Sequence, residues 1–152
     1  MASTKPATSA QPRTKKRLTQ NPARKLAYAA VEAALDKKAH DLLVMDLRGV
    51  SGVADYFLIC TGDSDLQIKA IADSVLDRIK DEYSERPWHV EGYEHLQWVL
   101  LDYVDLVVHI FSPERRAFYG LERLWGDATT EHVPDDGSAS DVKLLRAEDG
   151  GI

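Results

Sequence analysis

The sequence contains a single cysteine, Cys60, so it excludes an intramolecular disulfide and favours a reducing compartment. It also lacks long hydrophobic runs: the longest, near residues 42–45 and 106–111, are strand-sized and far short of the ~20 residues that cross a bilayer. We therefore expect no membrane span. The 44% of hydrophobic residues in a chain of 152 can still bury a sizeable core, which predicts one folded domain.

Acidic residues are absent from the N-terminus. Residues 1–25 carry seven basic residues and no acidic one, which leaves 12 basic and 25 acidic residues, a formal charge of −13, for the rest of the chain. Such a body attracts basic proteins and repels nucleic acid at long range, so a protein partner is favoured over DNA or direct RNA docking. Solubility alone is the alternative explanation of this charge.

The basic N-terminal arm, residues 1–22, is poor in apolar residues and rich in Ser, Thr, Pro and Lys. We expect it to be disordered, because it cannot bury enough surface to offset its ordering entropy. The missing apolar stretch argues against a secretory signal. A passive tail, an organellar transit peptide and a weak contact with RNA through phosphate attraction all remain open.

Periodicity predicts alternating helices and strands from Pro22 onwards. A helix should begin there with Asn21 as its cap, and a second should begin at Ser64, whose spacing to Gln67 resembles a capping box. Strands are expected at 41–47, 55–61 and 88–90, and Cys60 is expected in the core. The pattern predicts an α/β fold with a mixed β-sheet and packed helices.

The segment WVLLDYVDLVVHIF, residues 98–111, has two β-branched apolar runs around an acidic turn and predicts a β-hairpin. The following SPERRAFYGLERLW predicts a helix capped by Ser112. Its apolar side chains at helical spacing should face the core: Phe118, Leu121, Leu124 and Trp125. After residue 128 the aromatic residues end, so residues 129–152 are expected to be an acidic, largely disordered tail with one short helical piece near Leu144.

The blocks DLRGVSGVADYFLICTGDS and EGYEHLQWVLLDYVDLVVHIFSPERRAFYGLERLWGDA resemble the ribosomal silencing factors, also called the Iojap family. The likeness implies a single compact domain, residues 23–128, of nucleotidyltransferase-like topology. It also implies a translation repressor that binds the large ribosomal subunit, chiefly through ribosomal protein fourteen, and hinders subunit joining. A homodimer in the free state is implied too. The implied location is the bacterial cytoplasm, with an organellar matrix or stroma as the alternative.

The family pattern places partner contact on the hairpin: Trp98, Leu101, Asp102, Tyr103 and Asp105. Aromatic anchors are worth ~2 to 4 kcal/mol and rim charges ~0 to 1 kcal/mol, so the aromatic side chains should dominate affinity. Because Trp98 and Leu101 have opposite parity along a strand, at least one of them is expected in the core. Val104 replaces the glycine usual in the family, and a β-branched residue resists the positive φ of a tight turn, so the turn is expected to be wider or shifted.

No residue is assigned a catalytic role, a metal or a cofactor. The rival interpretation is a metal-dependent nucleotidyltransferase-like enzyme that uses Asp63, Asp65 and Asp102. Helix capping at Ser64 explains the first two acids without a metal. The histidines do not form a zinc motif, and His109 is expected to be a hydrogen-bonded residue of the sheet.

Overall fold

Two helices pack side by side in the computed structural model, which describes residues 22–50, 52, 54–120, 123 and 126–146. Helix α1 spans Ala23–Asp36 and helix α2 spans Asp65–Tyr83. Both bury apolar residues at helical spacing, and the Ser74 hydroxyl of α2 donates a hydrogen bond to the Ala33 carbonyl of α1 at 2.9 Å. The two helices therefore form one layer of the fold.

The starts of these helices follow the predicted capping with small shifts. The Ser64 side chain accepts a hydrogen bond from the Gln67 amide at 3.1 Å, which confirms Ser64 as the cap of α2. The Gln67 side-chain oxygen accepts from the Asp63 amide at 2.7 Å, one residue before the position of a standard capping box. Pro22 occupies the N-cap position of α1 instead of its first turn, and the proposed cap, Asn21, lies outside the described residues.

The described strands form one mixed sheet. They are β1 (His40–Asp46), β2 (Tyr56–Thr61), β3 (His89–Glu91), β4 (Trp98–Asp102), β5 (Leu106–Phe111) and β6 (Thr129–Val133). Their order across the sheet is β3-β4-β5-β2-β1-β6, with β2 and β5 parallel and the other neighbours antiparallel. The parallel pair is joined by a crossover through α2, and β4 and β5 form the predicted hairpin. The mixed α/β fold is confirmed.

Both faces of the central strands are buried. Leu58 and Cys60 of β2 point toward α1 and α2, whereas Phe57 and Ile59 point toward the opposite side, here called the second face. Cys60 is fully buried, and burial raises the pKa of its thiol to about 12. Cys60 is therefore a core residue, as predicted.

The C-terminal segment is ordered where it was expected to be largely disordered. Strand β6 pairs with β1, and short 3₁₀ turns follow at Ala139–Asp141 and Lys143–Leu145. Ala139, Val142 and Leu145 are buried in the same core as α1. The carboxylate of Glu131 accepts hydrogen bonds from the amides of Lys143 and Leu144 at 2.9 and 3.0 Å. The prediction is wrong for residues 129–146, and the fold extends to at least residue 146.

The helix after the hairpin, α3 (Pro113–Tyr119), is shorter than predicted. Ser112 caps it as expected, accepting a hydrogen bond from the Arg115 amide at 3.2 Å. It ends because Gly120 adopts a left-handed conformation, with φ of 56°. The expected apolar stripe lies outside what the structure describes: Leu121, Leu124, Trp125 and the side chain of Phe118.

In the described part of the chain, no helix combines the length and apolar character that a membrane crossing requires.

Candidate partner-binding surface

The hairpin turn is tight despite its valine. Val104 has a φ of 77°, and its amide donates a hydrogen bond to Asp102 Oδ1 at 2.8 Å. The Asp105 amide donates to the Tyr103 carbonyl at 2.9 Å, a bond that spans three residues as in a γ-turn. The expectation that Val104 would widen the turn is wrong, because the valine takes the positive φ.

Alternation along β4 decides which predicted site residues are accessible. Leu101 lies on the helix side with no exposed surface, and Tyr103 lies there with 6% exposed. Trp98 and Asp102 lie on the second face and are half-buried. The opposite parity of Trp98 and Leu101 is confirmed, and Leu101 is the core member of that pair.

The Tyr103 side chain packs into the core beneath the hairpin. Its hydroxyl is buried and finds no hydrogen-bond partner within the described ranges. Burial raises the pKa of Tyr103, and the nearby carboxylate of Glu85 raises it further. Leu101 and Tyr103, both predicted to contact a partner, are thus buried in the free chain.

Asp105 also faces inward, with only a small exposed fraction. Its carbonyl accepts hydrogen bonds from the amides of Asp55 and Tyr56 at 2.9 and 3.0 Å. These bonds tie the hairpin to the start of β2. Asp105 is therefore positioned to fix the hairpin in the sheet.

Five side chains of β3 and β4 share the second face at this end of the sheet. His89 pairs with Asp102 and Glu91 pairs with Leu100 across the two strands, so these residues and Trp98 point the same way. We call this set the β3–β4 face: His89, Glu91, Trp98, Leu100 and Asp102. Sequence reasoning missed Leu100, His89 and Glu91, although period-two alternation from Trp98 already points to Leu100.

The β3–β4 face has an apolar centre and polar surroundings. Trp98 stacks on Phe111 with ring centroids 6.1 Å apart, which fixes the indole against the sheet. His89 Nε2 and Glu91 Oε2 lie 2.7 Å apart. A cleft of about 410 Å³ opens beside Trp98 and is bordered by Arg115 of α3. A fixed aromatic with a charged rim is an arrangement typical of protein interfaces.

The carboxylates of the rival enzyme hypothesis lie at different ends of the sheet. Asp102 pairs with Val107 near the start of β5. Asp63 and Asp65 follow the end of β2, beside Phe111 at the end of β5. Four strand residues, roughly 13 Å, separate these positions, too far for one metal ion.

Asp63 and Asp65 already have structural partners. Asp63 Oδ1 lies 2.8 Å from His40 Nε2, and the Gln97 side-chain amide donates to Asp65 Oδ1 at 3.2 Å. Within the described ranges, no group of three or more His, Cys, Asp or Glu side chains could hold a metal ion. The geometry gives the nucleotidyltransferase hypothesis no assembled site.

His109 differs from its predicted role. It is 5% exposed on the second face, and neither ring nitrogen has a hydrogen-bond partner among the described residues. Its ring lies 4.7 Å from Phe57 and stacks parallel to Phe111 at 6.1 Å. Burial lowers the pKa of His109 to about 4, so it is neutral near pH 7. His109 therefore lies in the sheet core, as expected, but the expected hydrogen bond is not found in the part of the chain that the structure describes.

The fold is a mixed α/β domain, and its β3–β4 face carries a half-buried aromatic side chain with polar side chains around it. A family model described as "Ribosomal silencing factor during starvation" matches residues 20–149. The chain belongs to the ribosomal silencing factor family. The match reaches beyond residue 128, in agreement with the ordered C-terminal segment.

Several relatives carry the family name. The ribosomal silencing factor RsfS of Bacillus subtilis is 48% identical over 104 residues, covering 68% of this chain and 85% of that protein. The chloroplastic protein Iojap of Zea mays is 36% identical over 110 residues, covering 72% of this chain and 47% of that longer protein. These relatives indicate that the ribosome is the setting in which the family acts.

Solved structures show the same fold. A crystal structure of a Chromobacterium violaceum protein superposes with a TM-score of 0.67 at 34% identity, covering 70% of this chain and 88% of that one. A Bacillus halodurans structure has a TM-score of 0.60 at 41% identity, covering 67% and 94%. The fold described above is therefore one already observed in crystals of similar chains.

Proposed function

We propose that this protein represses translation by binding the large ribosomal subunit through ribosomal protein fourteen and blocking association with the small subunit. The observation that carries the proposal is the β3–β4 face, where the fixed indole of Trp98 lies beside Leu100 and within a charged rim. The mechanism needs only occupancy of the subunit surface, because a bound domain excludes a second particle from the same space. No covalent step is involved.

The charge of the chain supports a basic partner. Residues 26–152 carry a formal charge of −13, and Asp102 and Glu91 place two carboxylates on the β3–β4 face. Such charges steer encounter with a positively charged protein more than they tighten the complex. Trp98 and Leu100 would supply most of the affinity by leaving water on binding.

The other hairpin residues of the predicted site act in this proposal by positioning. Leu101 and Tyr103 anchor β4 against the helix layer, and Asp105 joins the hairpin to β2. They hold Trp98 and Asp102 in place without touching the partner. Replacement of Leu101 or Tyr103 would weaken binding through the fold, because their side chains pack in the core.

Three further properties belong to the same proposal. The free chain associates as a homodimer. The basic arm, residues 1–22, makes a weak, salt-dependent contact with ribosomal RNA. The protein acts in the bacterial cytoplasm or, as the alternative, in an organellar matrix or stroma.

Co-sedimentation with purified large subunits tests the proposed surface. Trp98→Ala should weaken binding roughly 30-fold or more, the effect of losing a central aromatic anchor. The matched control is Tyr28→Ala, which removes another exposed aromatic side chain, on α1 and away from the β3–β4 face. Circular dichroism should show the same folded content in both variants. Equal binding by the two variants would reject this surface.

A further inference from the structure

A groove between α1 and α2 carries more acidic than basic side chains. It has a volume of about 720 Å³, and Lys37 and Arg78 are the basic residues among the described residues that line it. Five carboxylates line the same groove: Asp36, Asp73, Asp77, Asp81 and Glu82. We call it the α1–α2 groove. Its formal charge is −3, which favours a positively charged occupant.

Three of these carboxylates form one row on α2. Asp73, Asp77 and Asp81 are spaced four residues apart, so they lie on the same side of the helix. Like charges at this spacing destabilise a helix unless another charge compensates them. Asp73 is compensated, because Lys69 Nζ lies 2.8 Å from its Oδ2 and the Tyr93 hydroxyl donates to its Oδ1 at 2.8 Å.

Asp77 and Asp81 have no such compensation. Within the described ranges neither carboxylate forms an ion pair, and both side chains are exposed. The guanidinium of Arg78 is engaged with Asp36 and Glu82 instead. A basic partner therefore finds two carboxylates in the α1–α2 groove that it neutralises without breaking an existing ion pair.

The chain itself contains a complementary segment. Residues 13–17 read RTKKR and carry four positive charges, and residues 1–25 contain no acidic residue. Residues 13–17 precede Pro22, the cap of α1, by nine to five positions. A chain of this length spans at most about 17 to 31 Å.

The α1–α2 groove lies within that reach. The two helices run antiparallel, because Gln67 of α2 donates to the Lys38 carbonyl at 3.0 Å, whereas Ser74, later in α2, donates to Ala33, earlier in the chain. The two uncompensated carboxylates follow Ser74, so they lie toward the start of α1, where the arm joins the domain. The 14 residues of α1 span about 21 Å, so the far end of the groove is also accessible.

We propose that residues 13–17 dock in the α1–α2 groove of the same chain, with their cations against Asp77 and Asp81. Docking relieves the like-charge repulsion along α2, and salt weakens it because both partners are exposed. The groove belongs to the helix layer, whereas the β3–β4 face belongs to the second face of the sheet. The docked arm therefore leaves the proposed subunit-binding surface free.

Docking also regulates the availability of the arm. Cations held in the groove are withheld from the phosphates of RNA, so the RNA contact proposed above requires the arm to leave the groove. This consequence rests on the proposed function, whereas the docking itself does not.

Paramagnetic relaxation in the full chain tests the docking. A nitroxide on Thr14→Cys should selectively broaden the amide signals of α2 residues 77–82 at low salt. The broadening should disappear in 1 M salt, where the Debye length is about 3 Å. The native Cys60 is buried and is not labelled.

Neutralisation of the groove provides the first variant. Asp77→Asn with Asp81→Asn should remove the selective broadening and keep α2 folded, because it relieves a repulsion within the helix. The matched control is Glu94→Gln with Asp127→Asn, which removes two exposed carboxylates outside the groove lining and should keep the broadening.

Exchange of the charges tests the pairing directly. Lys15→Glu with Lys16→Glu should abolish the broadening, and so should Asp77→Lys with Asp81→Lys. The chain that carries all four substitutions should recover it, since opposite charges face each other again.

Binding of a uridine homopolymer RNA measures the regulatory consequence. Asp77→Asn with Asp81→Asn should bind this RNA several-fold more tightly than the control pair, Glu94→Gln with Asp127→Asn. The two variants have the same net charge, so the difference reports the release of the arm. Equal affinities would show that the groove does not withhold the arm from RNA.

Three results would overturn the docking: no selective broadening at low salt, equal broadening in the groove variant and its control, or no recovery after charge exchange. Broadening that passes between chains in an equal mixture of spin-labelled and isotope-labelled chains would reject docking within one chain. Selective broadening in a chain that binds no RNA in any variant would reject the proposed RNA contact alone and leave the docking intact.

Discussion

Asp102 and Val104 are joined by a hydrogen bond that holds the hairpin in its tight form. Oδ1 of Asp102 accepts from the Val104 amide at 2.8 Å, two residues along the chain. This bond satisfies a donor at the one position of the turn where the backbone enters the left-handed region, with φ of 77°. A local side chain thus compensates for a residue that is poorly suited to its conformation.

Two substitutions of Asp102 should therefore differ in their effect on stability. Asp102→Asn keeps an oxygen acceptor for the Val104 amide and should leave the free energy of unfolding within about 0.5 kcal/mol of wild type. Asp102→Ala removes the acceptor and should cost about 1 to 2 kcal/mol. Urea unfolding measures both. Equal losses for the two variants would show that the turn bond contributes little.

The strain at Val104 predicts a stabilising substitution. Val104→Gly should raise the free energy of unfolding by about 1 kcal/mol, because the steric strain that glycine relieves at a positive φ outweighs the greater entropy of its unfolded chain. Val104→Ala should gain less, since it retains a Cβ. Urea midpoints compare the three chains. A glycine variant less stable than wild type would contradict the account of the turn.

Gly92 is required by the close approach of β4. A Cβ at this position would lie 1.9 Å from the Trp98 carbonyl oxygen, and φ is 96°. Gly92→Ala should therefore cost roughly 3 kcal/mol or displace the chain beside Trp98, with a matching loss of subunit binding. Gly52→Ala is the control, because a Cβ there meets nothing within 4 Å. Thermal unfolding of the two variants gives the comparison, and similar midpoints would refute it.

The buried His109 should make the free energy of unfolding of the protein sensitive to acid. Burial lowers the pKa of His109 from 6.5 to about 4, so the unfolded chain binds a proton that the folded chain does not bind between these values. Its contribution to stability is complete above pH 6.5 and falls by about 3 kcal/mol as the pH drops toward 4.

The control for this prediction is His109→Phe, which keeps a ring in the aromatic row but cannot be protonated. Urea midpoints at pH 7 and pH 4.5 should fall less for this variant than for wild type. The carboxylates of Asp63 and Asp41 hold the pKa of His40 above its ordinary value against the opposing effect of burial. The contribution of His40 to stability therefore increases as the pH falls, opposite to that of His109. That contribution is common to both chains and cancels. Equal pH dependence in the two chains would contradict the prediction for His109.

Local patterns predicted most of the elements, since periodicity and capping act over a few residues. Ser64, Ser112 and the hairpin of residues 98–111 are examples where a short segment carries its own signal. The alternation of side chains between the two faces of β4 was also predictable from the sequence. Which face of β4 joins the helix layer was not, because that depends on how α2 crosses back between the parallel strands.

The prediction for the C-terminal segment was wrong for a different reason. Its buried residues are few and separated: Val133, Ala139, Val142 and Leu145. Their burial depends on distant partners, such as the Glu32 carboxylate that accepts a hydrogen bond from the Ala139 amide at 2.8 Å. A contact between residues more than a hundred positions apart leaves no periodic signal in the sequence. Composition alone therefore suggested a disordered tail.

The most direct test of the proposed mechanism is the joining of purified large and small ribosomal subunits, followed by light scattering, in the presence of increasing amounts of this protein. Association should fall in proportion to the fraction of large subunits occupied, and Trp98→Ala should shift that dependence to higher protein concentration. Subunits that join freely when the large subunit is saturated with the protein would contradict steric exclusion.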